Sequence, residues 1–253
     1  MKKNTKSFAL IISVLLFSTM MLVGFDSCKK SEDPEPPKPT PIEPVSPEPE
    51  NGELPESVLP PELKDVVGEY FTIYSGENPV KVVGQFVSSP HALMATSLDP
   101  DYNYPDTVIY YNDRYLCFER TSGGLVNFYG KQWDDEYGSY YEEAYRNLNS
   151  VGEDDNFTCY FFTEGYPNGM YAKQSTIFSG KWDESYGGLK DFQVAVILLE
   201  TSGNPNLDPP GSYRVLGDYD GLAQDTNWMG KKAMVPNNVK VSEEDAFRMF
   251  RVK

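Results

Sequence analysis

The stretch Arg114-Tyr115-Leu116-Cys117-Phe118-Glu119-Arg120 is followed, after Thr121-Ser122-Gly123-Gly124, by Leu125-Val126-Asn127-Phe128-Tyr129. Both runs are short, rich in aromatic and β-favouring residues, and separated by turn residues, which is the pattern of adjoining strands. Similar runs at 70–74, 80–87 and 107–111 precede them, and others at 157–163, 175–178, 192–200 and 212–216 follow. This spacing predicts an antiparallel sandwich or barrel. Asn112-Asp113 and Asn168-Gly169 are read as hairpin turns, because both residue pairs tolerate the positive φ such turns require.

One segment reads differently. Tyr137, Tyr140, Tyr141, Ala144, Tyr145 and Leu148 recur at helical spacing, and Ser139 and Glu142 are spaced as a capping box, so a helix is predicted over 139–149 with its tyrosine stripe packed on a sheet. Near the C-terminus a helix start at Ser242 competes with a closing strand over 246–252. Phe128-Tyr129-Gly130-Lys131-Gln132-Trp133-Asp134 resembles Phe178-Ser179-Gly180-Lys181-Trp182-Asp183, each followed by a Tyr-Gly pair. Two copies do not make a solenoid; they imply two related β-halves or one strand-to-turn solution used twice.

The N-terminus carries Lys2, Lys3 and Lys6 and then no charged residue from Phe8 through Phe25, the pattern of an export signal. The run is at the lower limit for a spanning helix, so an uncleaved membrane anchor is the competing reading. Phe25-Asp26-Ser27-Cys28 places a small residue before a cysteine at the end of that run, and Lys29-Lys30-Ser31-Glu32-Asp33 follows. This resembles the lipobox of bacterial lipoproteins, and the charged segment resembles that of surface-exposed lipoproteins of the Bacteroidota. The resemblance implies cleavage after Ser27, acylation of Cys28 with palmitate-type chains, and an outer-membrane location, extending to the cell surface. Several acyl chains anchor a protein stably without a spanning helix.

From Pro34 to Pro61 eleven prolines alternate with glutamates and little apolar bulk, so residues 28–62 are expected to form an extended tether. The expected division is a signal peptide over 1–27, that tether, and a β-rich globular domain over 63–253. The formal charge is −16, and losing three lysines and one aspartate with residues 1–27 leaves −18. Such a chain lacks the basic stripe that nucleic acid requires and is repelled by anionic lipid heads.

Candidate chemistry is sparse. The single histidine, His91, follows Ser88-Ser89-Pro90 and is read as a loop or surface residue, so no catalytic triad is expected. Cys117 and Cys159 lie in apolar runs and either form a disulfide or stay as buried thiols, export permitting the first. Asp99, Asp101, Asn103 and Asp106, and again Asp218, Asp220 and Asp225, offer oxygen ligands at spacings suited to calcium, the one cofactor considered, although neither stretch completes an EF-hand. Trp133, Trp182 and Trp228 border polar turn residues and are candidates for stacking on sugar rings.

The expected architecture is mostly β, an antiparallel sandwich or an open, lipocalin-like barrel with one short helix. The expected function is a non-catalytic cell-envelope lipoprotein presenting a binding or structural domain to a glycan or an envelope protein. A carbohydrate-binding or calcium-dependent surface module and a glycosidase-like enzyme with paired carboxylates are the alternatives.

Overall fold

The computed structural model describes residues 46–98, 108–121, 125–135, 138–183, 185, 187–230 and 246–250. The strands are β1 (Gly84–Ser88), β2 (His91–Thr96), β3 (Tyr110–Tyr111), β4 (Arg114–Arg120), β5 (Val126–Asp134), β6 (Ser139–Val151), β7 (Asn156–Gly165), β8 (Ala172–Asp183), β9 (Gly188–Glu200), β10 (Tyr213–Asp218) and β11 (Leu222–Asp225). One helix, α1 (Pro61–Gly68), precedes them.

These strands make an eight-stranded antiparallel β-barrel, lipocalin-like in form. Three staves are each built from two strands: β1 with β2, broken at the cis Ser89-Pro90 bond; β3 with β4, broken at 112–113; and β10 with β11, broken at 219–221. Every stave pairs antiparallel with the next in sequence. The ring closes where β11 pairs with β1, Phe86 opposite Asp225, and β10 pairs with β2, His91 opposite Asp218. Closure removes the two end edges of the sheet, but the β6–β7 joint is short: only Asn149–Val151 pair with Thr158–Tyr160, and the two strands are not laddered beyond it.

Alternation along each stave sorts its residues. On β8, Ala172 and Phe178 join the inner cluster, whereas Ile177 joins an outer one; on β9, Phe192, Val194, Val196 and Leu198 point in while Ala195 and Ile197 point out. One end of the interior is aromatic. Phe178 lies 4.6 Å from Phe128, 5.8 Å from Phe161, and 6.1 Å from both Phe118 and Phe192, ring centre to ring centre. Phe86 adds contacts with Phe118 and, edge-on at 5.5 Å, with Trp182. This end carries the β4–β5, β6–β7 and β8–β9 connections. At the opposite end, the 3-10 turn Arg248–Phe250 is tied to the β9–β10 connection by the Asp208 N–H donating to the Phe250 carbonyl, and Ala246, Phe247 and Phe250 complete the inner cluster there.

The domain begins earlier than the proline content suggests. Val58 and Leu59 are buried on the outer faces of β7–β10 together with Val67 and Phe71. Polar ties hold this strap down: Tyr160 donates to the Pro47 carbonyl at 2.9 Å, Ser175 to the Val58 carbonyl at 2.7 Å, and Ser179 to the Thr72 carbonyl. Residues 46–62 of the expected tether are therefore packed on the barrel as part of the domain. Proline and glutamate removed the helical signal from this stretch, but a few apolar residues suffice when a preformed barrel wall supplies the other half of the contact.

The helix expected over 139–149 is strand β6, and the physical cause is a bulge. Glu143 and Tyr145 face inward in alternation; Asn147 then adopts φ 55°, and Leu148 also turns inward. One inserted residue converts a period of two into the i, i+3 spacing that imitates a helix. Ser139 caps nothing; it pairs with Asp134 across the β5–β6 turn. Asn112-Asp113 joins two strands of one stave rather than closing a hairpin, whereas Asn168-Gly169, both at positive φ, does turn β7 into β8. The two similar stretches are strands β5 and β8, each followed by a glycine at positive φ, Gly138 and Gly187. Their turns lie at opposite ends of the barrel, so the likeness is a repeated strand-to-turn solution. Near the C-terminus Ala246 is helical and Arg248–Phe250 form a 3-10 turn rather than a closing strand, while the helix start expected at Ser242 lies outside the described residues.

Cys117 and Cys159 are free thiols and not a disulfide: Cys117 packs outward against Tyr129, and Cys159 sits in the inner cluster. Burial pushes the Cys117 thiol up to about 11 and the Cys159 thiol up to about 12. Because the thiolate is the reactive form, alkylation by iodoacetamide at pH 8 is expected to be at least about 100-fold slower in the folded chain than in urea. Labelling at comparable rates in both, read by mass spectrometry, would refute the burial of both thiols.

Candidate functional site

Away from the phenylalanine cluster, the inward positions turn polar. Arg114 on β4 and Glu143 on β6 form an ion pair inside the barrel, with Arg114 Nη2 donating to Glu143 Oε1 and the guanidinium 5.8 Å over the Phe178 ring. Gly130, on the strand between them, makes the space: a Cβ there would stand 2.7 Å from the Phe128 ring and 3.1 Å from Glu143 Oε1. Tyr141 donates to Glu143 Oε2 at 3.4 Å. Tyr145 stacks on Phe161 and shares a 2.9 Å hydrogen bond with Thr163; burial, then the Glu143 charge, holds its phenol well above the ordinary value.

On the closing staves lie Ser88, His91 and Asp218, all buried. The Ser88 hydroxyl is 3.0 Å from His91 Nδ1 and also hydrogen-bonds Asp218. Asp218 Oδ2 accepts from the Ser89 N–H at 2.9 Å and Oδ1 from the Leu222 N–H at 3.1 Å, so this carboxylate clamps the bends in both staves. The order is wrong for nucleophilic catalysis. In a working triad the histidine stands between acid and serine and takes the hydroxyl proton with Nε2; here serine stands in the middle and meets Nδ1.

His91, expected in a loop or on the surface, is thus a fully buried strand residue. The apolar run Ala92-Leu93-Met94-Ala95 right after it was the available signal, outweighed by Pro90. Burial, with Arg114 adding to it, keeps the imidazole pKa well below its ordinary value, so it is neutral. A depressed histidine pKa means the unfolded chain binds the proton more tightly, so this contribution is present above about pH 6.5 and is lost as pH falls toward the folded value. Asp218 acts oppositely: burial, then the hydrogen-bonded Asp220 carboxyl, push it up to about 6, which favours the folded state at low pH and is lost as pH rises through 6. Comparing the native chain with His91→Gln isolates the first effect. From pH 7 down to pH 5 the native chain is expected to lose up to about 1.4 kcal/mol more per pH unit than the variant. Parallel pH profiles in urea unfolding would show that His91 does not titrate with folding.

The remaining candidates scatter. Asp99, Asp101, Asn103 and Asp106 lie outside the described residues. Asp218 and Asp220 both accept the Leu222 N–H, while Asp225 sits at the far end of β11 opposite Phe86, so these three do not converge on one point. Among the described residues, no group of three or more His, Cys, Asp or Glu side chains converges as a metal-binding cluster. Trp182 is spent on Phe86 inside the barrel, and Trp228 stacks on Tyr129 with its indole N–H donated to the Leu116 carbonyl at 3.1 Å. Trp133 is the exposed one: it meets Tyr140 edge-on at 5.2 Å on the outer face of β5 and β6, and its N–H is held by Asp135.

Among the described residues, three polar atoms inside the wall have no hydrogen-bond partner: His91 Nε2, Gln174 Oε1 and Arg214 Nε. These three side chains were not among the residues expected to bind anything, because inward orientation follows from register rather than from local sequence. No helix among the described residues is long and apolar enough to cross a membrane.

The fold and its polar end define a closed, lipocalin-like β-barrel with an ionised interior. Comparison of the chain with protein-family models, with curated proteins and with solved structures returned no match.

Proposed function

We propose that this chain is an exported lipoprotein, anchored through Cys28, whose barrel is a non-catalytic binding module for a small molecule. The observation that carries the binding reading is the set of polar atoms within the barrel wall that have no hydrogen-bond partner among the described residues, His91 Nε2, Gln174 Oε1 and Arg214 Nε. Each such atom costs about 1–3 kcal/mol if left unsatisfied, and an eight-stranded barrel is wide enough either to be filled by its own side chains or to hold one small ligand. The serine-centred order of Ser88, His91 and Asp218 supports a binding over a hydrolytic role.

Two measurements test the reading. Palmitate labelling in a bacterial host is expected to mark the native chain and not Cys28→Ala. Native mass spectrometry of the detergent-extracted protein is expected to show a small non-covalent adduct that leaves on unfolding. Unlabelled native chain sinks the anchor; an adduct-free barrel after exposure to host extract sinks the binding module.

A second reading rests on the exposed Trp133–Tyr140 pair, whose flat faces suit sugar C–H groups. In that case Trp133→Ala would abolish retention on a glycan array, a change that leaves the barrel interior untouched.

A further inference from the structure

The outer face of β5 and β6 carries an exposed aromatic pair that is braced before anything binds. Trp133 and Tyr140 are cross-strand partners, edge-on at 5.2 Å between ring centres. The Trp133 indole N–H donates to Asp135 Oδ1 at 2.9 Å, and the Asn112 amide donates to Asp135 Oδ2 at 2.8 Å. Asn112 is held in turn, its main-chain carbonyl accepting from Gln132 Nε2 at 2.6 Å. Tyr140 is held by the Lys131 ammonium, 4.8 Å from its ring centre. Exposed rings braced in this way have given up rotamer freedom in advance, so meeting a ligand costs them less entropy.

The charges around the pair select the class of ligand. Lys131 is the next outward residue of β5, about 7 Å along the strand from Trp133. Its ammonium also lies 4.7 Å from the Trp228 ring centre and 5.5 Å from that of Tyr115, and it belongs to none of the ion pairs formed among the described residues. Opposite it in the ladder stands the exposed Glu142, which accepts the Tyr129 hydroxyl. The cation already resting on these rings opposes a second cation. The Glu142 and Asp135 carboxylates outnumber it and oppose an anion, as does the formal charge of −16 on the whole chain. Two carboxylates that accept, one ammonium that donates and two exposed rings fit an uncharged molecule with many hydroxyls and an apolar C–H face.

Resting on the glycan reading of this pair, we infer that the outer face of β5 and β6 binds an uncharged oligosaccharide and discriminates against acidic ones. Trp133 and Tyr140 take the C–H face of one hexose. Asp135 and Glu142 accept from hydroxyls of that sugar and its neighbour, and Lys131 donates to a sugar oxygen. The two carboxylates determine specificity, and they do so by repelling uronates rather than by added attraction to the neutral sugar.

The test is titration calorimetry of the full chain in non-ionic detergent micelles against cellotetraose, maltotetraose, tetragalacturonate and tetralysine, at about 20 mM salt so that charge is little screened. At least one neutral tetrasaccharide is expected to bind, with tetragalacturonate at least about 10-fold weaker. Trp133→Ala is expected to weaken the neutral ligand by at least about 10-fold, and Lys131→Met, which keeps the stem on the rings, by about 3–10-fold. Glu142→Gln keeps an acceptor without the charge; it is expected to leave neutral binding within about 3-fold and to strengthen tetragalacturonate relative to it. That ratio decides if Trp133→Ala does not fold, and an unchanged ratio would overturn the role of the carboxylates. Neutral binding unmoved by Trp133→Ala would overturn the site. Tetragalacturonate binding more tightly than either neutral sugar would overturn the ligand class while leaving the glycan reading standing. Binding of none of the four would overturn the class, and no retention on the glycan array would overturn the glycan reading with it. Binding of tetralysine alone would overturn both in favour of a cationic peptide.

Discussion

Replacing Glu143 by leucine is expected to cost about 3–5 kcal/mol of stability, because it strands the Arg114 guanidinium in the interior with its charge unpaired. The attraction between the two groups is not the source of this figure. Bringing both ions out of water consumes most of what they gain from each other, and the loss appears only when one is left alone. The double variant Arg114→Met/Glu143→Leu is therefore expected to return to within about 1 kcal/mol of the native chain or to exceed it. Urea unfolding of the four chains gives the coupling directly. If the double variant is as unstable as the sum of the singles, the pair does not act as a unit and the interior is wetter than described.

Phe178→Ala is expected to be the most damaging single truncation of the apolar interior, at about 3–5 kcal/mol, because a fully buried ring would be lost from the centre of the cluster. For a domain of this size that is a fall of roughly 10 °C in the unfolding midpoint. Phe178→Leu fills most of the volume and is expected to lose about a third as much. Similar losses for both variants would mean that ring-to-ring geometry, rather than filled space, holds this end together. Phe178 also lies under Arg114, so truncation removes a ring face from a buried cation as well.

Most of the barrel was legible in advance. The runs at 114–120, 125–129, 157–163 and 192–200 are strands because aromatic and branched residues alternate there with residues that face out. Residues 139–149 misled because a single bulge at Asn147 rewrites the local period, and a period is all that a sequence window offers. The strap misled for a different reason. Val58 and Leu59 are too few to signal a core element alone, and their partners Ile177, Ala195 and Val215 are contributed by strands far along the chain.

The site was less legible than the fold. His91, Gln174 and Arg214 fall in different parts of the sequence, and only the pairing of β2, β8, β9 and β10 turns them toward one interior. Trp182 and Trp228 show the converse: their turn-like surroundings suggested exposure, yet Phe86 and Tyr129 absorb their faces.

The stave order has a kinetic consequence. Seven of the eight joints in the ring link neighbours in sequence and can zip as hairpins, each closing a short loop. The eighth joins Phe86 and Val87 to Asp225 and Gln224, near opposite ends of the domain. Until that joint closes, the curled sheet has two open edges, and Arg214 and Asp218 lie on the last stave to be synthesised. A chain interrupted before Tyr213 would thus present a sticky, unclosed sheet rather than a smaller barrel, and the step most exposed to misassembly is the one that closes the ring.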